Sequence, residues 1–265
     1  MVILAAPPSP TAAFRGRSSI SSTSCDGPSD RAGGLAPATR LYGRKRGRPL
    51  RPGQRVLITE VLPRLDVRLP ERGKLDPASL FDTAPRAVWL EIGFGGGEHL
   101  AAQAEAHRDL GLIGCEVFEN GVARLLGQIA RRRLSNIRLF TDDGRRLVEA
   151  LTAASVERVF ILFPDPWPKQ RHHKRRILST GTLDALARIM AEGAELWLAT
   201  DDGGYFAWML ERVTNHPEFV WLARRPADWR QPPAGWLPTR YEEKAVAAGR
   251  VPFYLRARRR GGGAG

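Results

Sequence analysis

The sequence predicts an α/β protein with a doubly wound, mainly parallel sheet that ends in an antiparallel pair of strands at its C-terminal edge. Two observations carry this expectation. Strand-length apolar runs alternate with helix-length amphipathic segments from Ala87 to Ala199, and two later apolar runs have no proper helix between them. Parallel neighbours need a crossover to connect them, whereas antiparallel neighbours do not.

In order, the predicted strands are Ala87 to Ile92 (AVWLEI), Gly111 to Val117 (GLIGCEV), Asn136 to Phe140 (NIRLF), Arg158 to Phe163 (RVFILF) and Ala194 to Ala199 (AELWLA). Gly121 to Arg133 and Thr180 to Ala191 supply helices between them. Phe219 to Leu222 and Val251 to Arg256 form the late pair, joined by a long Pro- and Trp-rich connection from Arg224 to Gly249. These elements organise residues 87–260 as one domain, preceded by a basic arm and lead-in at 41–86 and followed by a flexible tail at 261–265. Residues 1–40 are rich in Ala, Pro, Ser, Thr and Gly without a sustained apolar period, and read as a disordered extension. No early basic region flanks an apolar segment there, which argues against a secretory signal and leaves a transit peptide open.

Composition narrows the class of partner. The chain has 41 Lys and Arg against 28 Asp and Glu, a formal charge of +13, and such a field attracts nucleic acid or an anionic membrane surface. Leu41 to Arg55 alone holds six cations and no acid. It is a solvated arm by default and a phosphate-binding arm by hypothesis. The apolar runs are of strand length, far short of the roughly twenty residues that cross a bilayer, so a soluble, cytoplasmic protein without a membrane partner is expected. Cys25 and Cys115 are the only cysteines, too few for a disulfide framework or zinc-ligand spacing. No metal is expected.

In open α/β sheets the ligand sits beyond the carboxyl ends of the strands. The first strand ends in LEIGFGGGEHL, where Gly93, Gly95, Gly96 and Gly97 permit close backbone approach and positive φ ahead of a helix N-terminus. A tight structural turn would use the same glycines. Glu91 and Glu98 around this loop are awkward for a pyrophosphate and suit a positively charged ligand such as S-adenosylmethionine. Glu116 ends the second strand, placed to accept both hydrogen bonds of a ribose diol. Asp142 and Asp143 follow the third strand, where an acid can take the adenine amino group or simply cap the next helix.

The fourth strand runs into FPDPWPKQRHHKRR, where Asp165 and Trp167 stand directly before a cluster of cations. Trp167 offers a face for stacking on a base, or packs over the sheet edge. The cations form a solvated helix face or a phosphate-binding surface. The adjacent His172 and His173 lack a companion at metal-ligand spacing.

Taken together, LEIGFGGGEHL, GCEVFENGVARLL, FPDPWPKQRHHKRR, LATDDGGYF and PTRYEEKAVAAGR resemble, in order and spacing, the bacterial tRNA (guanine-N7-)-methyltransferase family over roughly Leu41 to Arg258. The resemblance implies a Rossmann-like fold and methyl transfer from S-adenosylmethionine to the variable-loop guanine at position 46 of tRNA. It implies that Glu91, Gly93, Gly95, Glu116, Asp143 and Asp165 contact the cofactor, with Asp165 also the active-site residue. Lys169, Asp201, Thr239, Arg240, Tyr241 and Glu242 match the family's substrate contacts, and Arg171, His172, His173, Lys174, Arg175 and Arg176 its RNA-interacting stretch. The adjacent acids leave the adenine contact open between Asp142 and Asp143.

Guanine N7 already has an in-plane lone pair, so no base is needed to activate it. Catalysis then rests on in-line positioning, with Asp165 orienting the guanine N1–H and N2 edge and offsetting the charge that arrives with the methyl group. Two rival classes remain. A non-catalytic RNA-binding protein could keep this fold, although the intact Glu91, Glu116 and Asp165 set argues against it. An NAD(P)-dependent oxidoreductase would use the glycine loop, but no Tyr-Lys or Cys arrangement accompanies it. Monomer and homodimer are both compatible with the sequence.

Overall fold

The computed structural model describes residues 42–261; the expected disordered extension and nearly all of the expected tail lie outside them. A helical lead-in opens the described chain: α1 (Pro52–Val56), a π-helical turn (Leu57–Val61) and α2 (Leu62–Leu65) run continuously. Pro63 has no N–H to donate and its ring crowds the carbonyl one turn back, which accounts for the widened turn before it. A 3-10 turn (Pro77–Leu80) then leads to the sheet.

The sheet contains β1 (Val88–Ile92), β2 (Gly111–Cys115), β3 (Ile137–Phe140), β4 (Val156–Leu162), β5 (Met190–Thr200), β6 (Phe219–Trp221) and β7 (Phe253–Arg259). Crossing and flanking helices are α3 (Glu98–Ala106), α4 (Glu119–Arg132), α5 (Gly144–Ala150), α6 (Thr180–Ile189), α7 (Gly203–Asn215), α8 (Ala227–Arg230) and α9 (Arg240–Ala247). The strand order is β3-β2-β1-β4-β5-β7-β6. Contacts among β1 to β5 are parallel, and β7 runs antiparallel to both β5 and β6. This is the predicted mainly parallel, doubly wound sheet with an antiparallel C-terminal edge.

Both faces of the sheet are covered, which is why its parallel strands read as continuous apolar runs. Alternate side chains divide between two cores. Val88, Leu90, Ile92, Val159, Ile161, Leu196 and Leu198 pack with Leu147, Leu183, Leu186, Tyr205 and Met209 of α5, α6 and α7. Trp89, Leu112, Leu139, Phe160 and Trp197 face the other way, onto Leu100, Leu125 and Leu126 of α3 and α4. The lead-in adds Leu57, Ile58, Val61, Leu62 and Leu65 to that second core.

The strand order reverses between β1 and β4, whose paired residues include Glu91 and Phe160. A crevice beyond their carboxyl ends is where an open sheet of this kind presents a ligand site.

Candidate active site

The chain leaves β1 through Gly93, Gly95 and Gly97, all at positive φ. Gly97 is the N-cap of α3 at φ 75°, and a Cβ there would lie 2.7 Å from Leu125 Cβ. Gly121 brings α4 against the same loop, since a Cβ on it would lie 2.0 Å from the Gly95 carbonyl oxygen. Both positions therefore require glycine for steric reasons. The packed turns leave a cavity of about 220 Å³ between the glycine loop, the end of β4 and α9.

Glu91, Gly93 and Gly95 line this cavity with Phe163, Thr239, Arg240 and Tyr241, so the structure brings together residues from three distant motifs. Glu98, Arg124 and Lys244 line it too. The lining thus has carboxylates and cations, a pattern suited to a zwitterion. Arg124 and Lys244 carry no sequence signal that separates them from solvent-facing cations of amphipathic helices.

Glu91 is buried and its Oε2 lies 2.8 Å from His99 Nδ1. The Gln103 amide nitrogen lies 3.1 Å from His99 Nε2; with that amide donating, the His99 Nδ1–H donates a hydrogen bond to Glu91 Oε2. Glu91 is held rigidly by this chain while still lining the cavity.

Glu116 differs from its expected role. Its Oε2 accepts the Gly95 N–H at 2.7 Å, and its Oε1 accepts those of Val117 and Phe118 at 2.8 and 2.9 Å. A carboxylate has about four lone-pair sites, so about one remains for a ligand, not the two that a ribose diol would use. Burial raises the Glu116 pKa above the ordinary carboxylate value, the three backbone donors oppose the rise, and the Asp165 charge adds to it.

Asp143 is the N-cap of α5, accepting the Arg145 N–H at 3.1 Å and pairing with the Arg145 guanidinium at 2.5 Å. Asp142 accepts the Asp143 N–H at 2.8 Å and pairs with Arg146. The capping alternative accounts for Asp143, while Asp142 supports that cap residue and its helix from outside. Neither they nor Glu116 lines the cavity.

Beyond β4, Phe163 and Trp167 adopt left-handed φ of 49° and 43°, a conformation that costs a non-glycine residue about 1–3 kcal/mol and clusters at functional sites. Asp165 stands between them, exposed and without a hydrogen-bond partner among the described residues. Trp167 packs: its ring lies 6.4 Å from Tyr42 and 5.8 Å from His172, and the Arg175 guanidinium sits 4.8 Å above it. Arg175 lies equally close to Tyr42. The packing alternative holds for Trp167, with the basic arm rather than the sheet edge as its partner.

Arg176, grouped above with the RNA-facing cations, points inward. It is 7% exposed, its Nε donates to the Pro166 carbonyl at 2.8 Å, and its guanidinium lies over Tyr205 and Trp208 at 4.8 and 4.7 Å. Its charge braces the loop from inside, which corrects the sequence reading. Lys169, Arg171 and Lys174 remain exposed on and beside the 3-10 turn Gln170–Arg175. His172 is half-buried, and desolvation and then the surrounding cations lower its pKa below the ordinary imidazole value. His173 packs on Trp208 at 5.1 Å. Among the described residues no three His, Cys, Asp or Glu side chains gather as a metal site, and no helix is long and apolar enough to cross a membrane.

The C-terminal motif splits by side-chain direction. Thr239 caps α9 through the Glu242 N–H at 3.0 Å, and Glu242 returns the bond to the Thr239 N–H at 3.3 Å, a reciprocal capping box. Glu242 also accepts the Trp236 indole N–H at 2.8 Å and the Tyr254 hydroxyl. Arg240 and Tyr241 are exposed at the cavity, with Tyr241 5.4 Å from the Phe163 ring. The Asp201 side chain is 8% exposed; the Arg250 guanidinium lies 2.8 Å away, close enough to pair as charges but outside hydrogen-bonding direction.

The family model described as "Putative methyltransferase" matches residues 85–255. A tRNA (guanine-N(7)-)-methyltransferase of Rhodospirillum rubrum is 51% identical over 224 residues, covering 83% of this chain and 88% of that protein. One from Paramagnetospirillum magneticum is 50% identical over 227 residues, with 85% and 94% covered. One from Ruegeria pomeroyi is 47% identical over 229 residues, with 84% and 95% covered.

Proposed function

The chain belongs to the tRNA (guanine-N7-)-methyltransferase family, and from that membership we propose that it transfers a methyl group from S-adenosylmethionine to N7 of the variable-loop guanine, position 46, in tRNA. The observation that carries the proposal is that Asp165, exposed and without a hydrogen-bond partner among the described residues, follows the cavity-lining Phe163 by two positions and precedes the exposed cations Lys169, Arg171 and Lys174.

The cavity residues fit the methyl donor. Glu91 and Glu98 would face its cationic groups, and Arg124, Arg240 and Lys244 would offer partners for its carboxylate. Glu116 keeps one acceptor position for a ribose hydroxyl, and its bond to Gly95 holds the glycine loop. When bound, the donor supplies an electrophilic methyl group on a sulfonium.

The protein's own work is orientation. Asp165 accepts hydrogen bonds from the guanine N1–H and N2 edge and offsets the charge that the base acquires. No side chain needs to remove a proton before N7 attacks. Phe163 and Tyr241, whose rings pack 5.4 Å apart in the cavity lining, limit solvent around the base. The cations after Asp165 hold backbone phosphates, which position the tRNA without reading its sequence.

The decisive experiment incubates the protein with unmodified tRNA and methyl-labelled S-adenosylmethionine, then maps the labelled nucleotide. Label on N7 of the variable-loop guanine is the expected outcome. Label on another base, or on another atom of that guanine, would overturn the proposal.

A further inference from the structure

A second cavity lies between the basic arm and α4. Arg48, Pro49, Arg51, Gln54, Asn120 and Arg124 enclose about 370 Å³, within the range of pockets that take small ligands, about 300–1,000 Å³. Its lining has three guanidinium groups and no carboxylate. None of the three forms an ion pair among the described residues, although Arg46, nearby on the arm, lies 3.9 Å from Glu119. Several other arginines have acidic partners, including Arg86 with Asp109 and Arg132 with Glu105.

The cavity is built, because the arm is pinned to the first turn of α4. The Asn120 amide donates to the Arg48 carbonyl at 2.7 Å and accepts the Gly47 N–H at 2.9 Å. The Glu119 N–H donates to the Lys45 carbonyl at 3.0 Å. The arm, read from sequence as solvated by default and phosphate-binding by hypothesis, is held on α4 by these bonds. Asn120 and Arg124 are four residues apart on α4, so they share a face. Gln54 accepts the Arg51 N–H at 3.0 Å, which leaves its amide nitrogen as a further donor.

Three unpaired like charges around one cavity repel each other, and the arrangement becomes favourable when an anion enters. Arg124 also lines the cavity at the glycine loop, so one side chain joins the two spaces. We propose that the arm–α4 cavity binds a backbone phosphate of the RNA substrate, and that Arg124 fixes the distance from this phosphate to the methyl-transfer cleft. The inference rests on the tRNA reading above and adds to it a phosphate site apart from the cations that follow Asp165.

The test measures tRNA binding across a salt series without methyl donor, for the wild type, Arg51→Gln, the double variant Arg48→Gln/Arg51→Gln, Arg124→Gln, and Arg131→Gln as an exposed control on α4. Melting curves check that each variant folds. Loss of one phosphate contact flattens log K against log salt by roughly 0.7–0.9. Arg51→Gln and Arg124→Gln should each show this change, and Arg131→Gln should not. Unchanged slopes in the cavity variants, or an equal change in the control, would overturn the proposal. Phosphorus NMR of inorganic phosphate supplies the second arm: wild-type line broadening that Arg51→Gln abolishes, alongside an unchanged tRNA slope, would assign the cavity to a free phosphate and overturn the RNA occupant. A protein that binds tRNA with these slopes yet methylates no guanine would contradict the proposed activity and leave the phosphate site standing.

Discussion

Replacing Arg176 with methionine removes the brace beneath the loop that carries Asp165. The wild-type side chain makes one charged hydrogen bond, Nε to the Pro166 carbonyl at 2.8 Å, worth about 1.5–3 kcal/mol. Its guanidinium also lies 4.8 Å from the Tyr205 ring and 4.7 Å from that of Trp208, and such contacts contribute about 0.5–2 kcal/mol. Methionine keeps much of the apolar stem, so little cavity opens, and the relieved desolvation of the cation offsets part of the loss. The net expectation is destabilisation by about 2–4 kcal/mol. For a domain of this size that lowers the melting temperature by roughly 5–15 °C. The left-handed conformations at Phe163 and Trp167 then lose part of the packing that imposes them, so Asp165 moves and turnover at saturating tRNA falls. Arg176→Lys should recover little stability, because a point charge does not reproduce the planar fork between two rings. Circular-dichroism melts and single-turnover methylation measure the two effects. Wild-type melting combined with a salt slope reduced by one phosphate contact would refute this reasoning and return Arg176 to the RNA surface.

Asp165→Asn should melt like the wild type, because the carboxylate is exposed and has no partner among the described residues, while losing most turnover; near-normal turnover would remove the orienting role. Glu116→Gln should flatten the acid limb of S-adenosylmethionine affinity measured by titration. Burial raises the folded pKa of Glu116 above 4.5, so affinity falls as pH drops through that raised value, whereas the group's stability contribution is full below 4.5 and lost as pH rises through the raised value; an unchanged limb would move the titrating group elsewhere. Thr239→Ala should cost about 1 kcal/mol in stability through its lost cap, and Tyr241→Ala, at a residue 47% exposed, should change the KM or kcat for tRNA without shifting the melt. Equal melting shifts in the two variants would show that the motif does not divide into a cap and a contact.

The sheet was legible because its strands β1, β2 and β3 are buried along their whole length. The late strands β6 and β7 are only partly buried and showed as short apolar stretches, and the absence of a full crossover helix before the last one exposed the antiparallel edge. Boundaries moved where tertiary contacts extended a pairing: β5 begins at Met190, directly after α6, because Met190 pairs with Val156 before the register shifts. The lead-in helix was missed since Pro63 interrupts its period, and its apolar stripe has meaning only against the second core. By contrast, α9 had a local signal in the spacing of Thr239 and Glu242, which the resemblance instead assigned to substrate contact.

The candidate site was legible as a set of residue types at strand ends, but not as a division of roles among them. A sequence names the acceptors and donors without showing which are already engaged, since their partners can be distant. Glu116 meets Gly95 across 21 positions and Tyr254 meets Glu242 across 12, while Arg176 reaches back 10 to Pro166. Groups engaged in this way have little remaining capacity for a ligand and cannot move without disturbing the fold, so they hold the geometry. Asp165, Lys169 and Arg240 are exposed, and no side-chain hydrogen bond or ion pair holds them among the described residues; they carry charge into the space that the others define. The same contrast separates Arg176 from Lys174 within one basic run, and Glu242 from Tyr241 within one helical turn. Substitution at an engaged group should therefore change stability and turnover together, whereas substitution at an unengaged group should change turnover or affinity while the melt stays fixed.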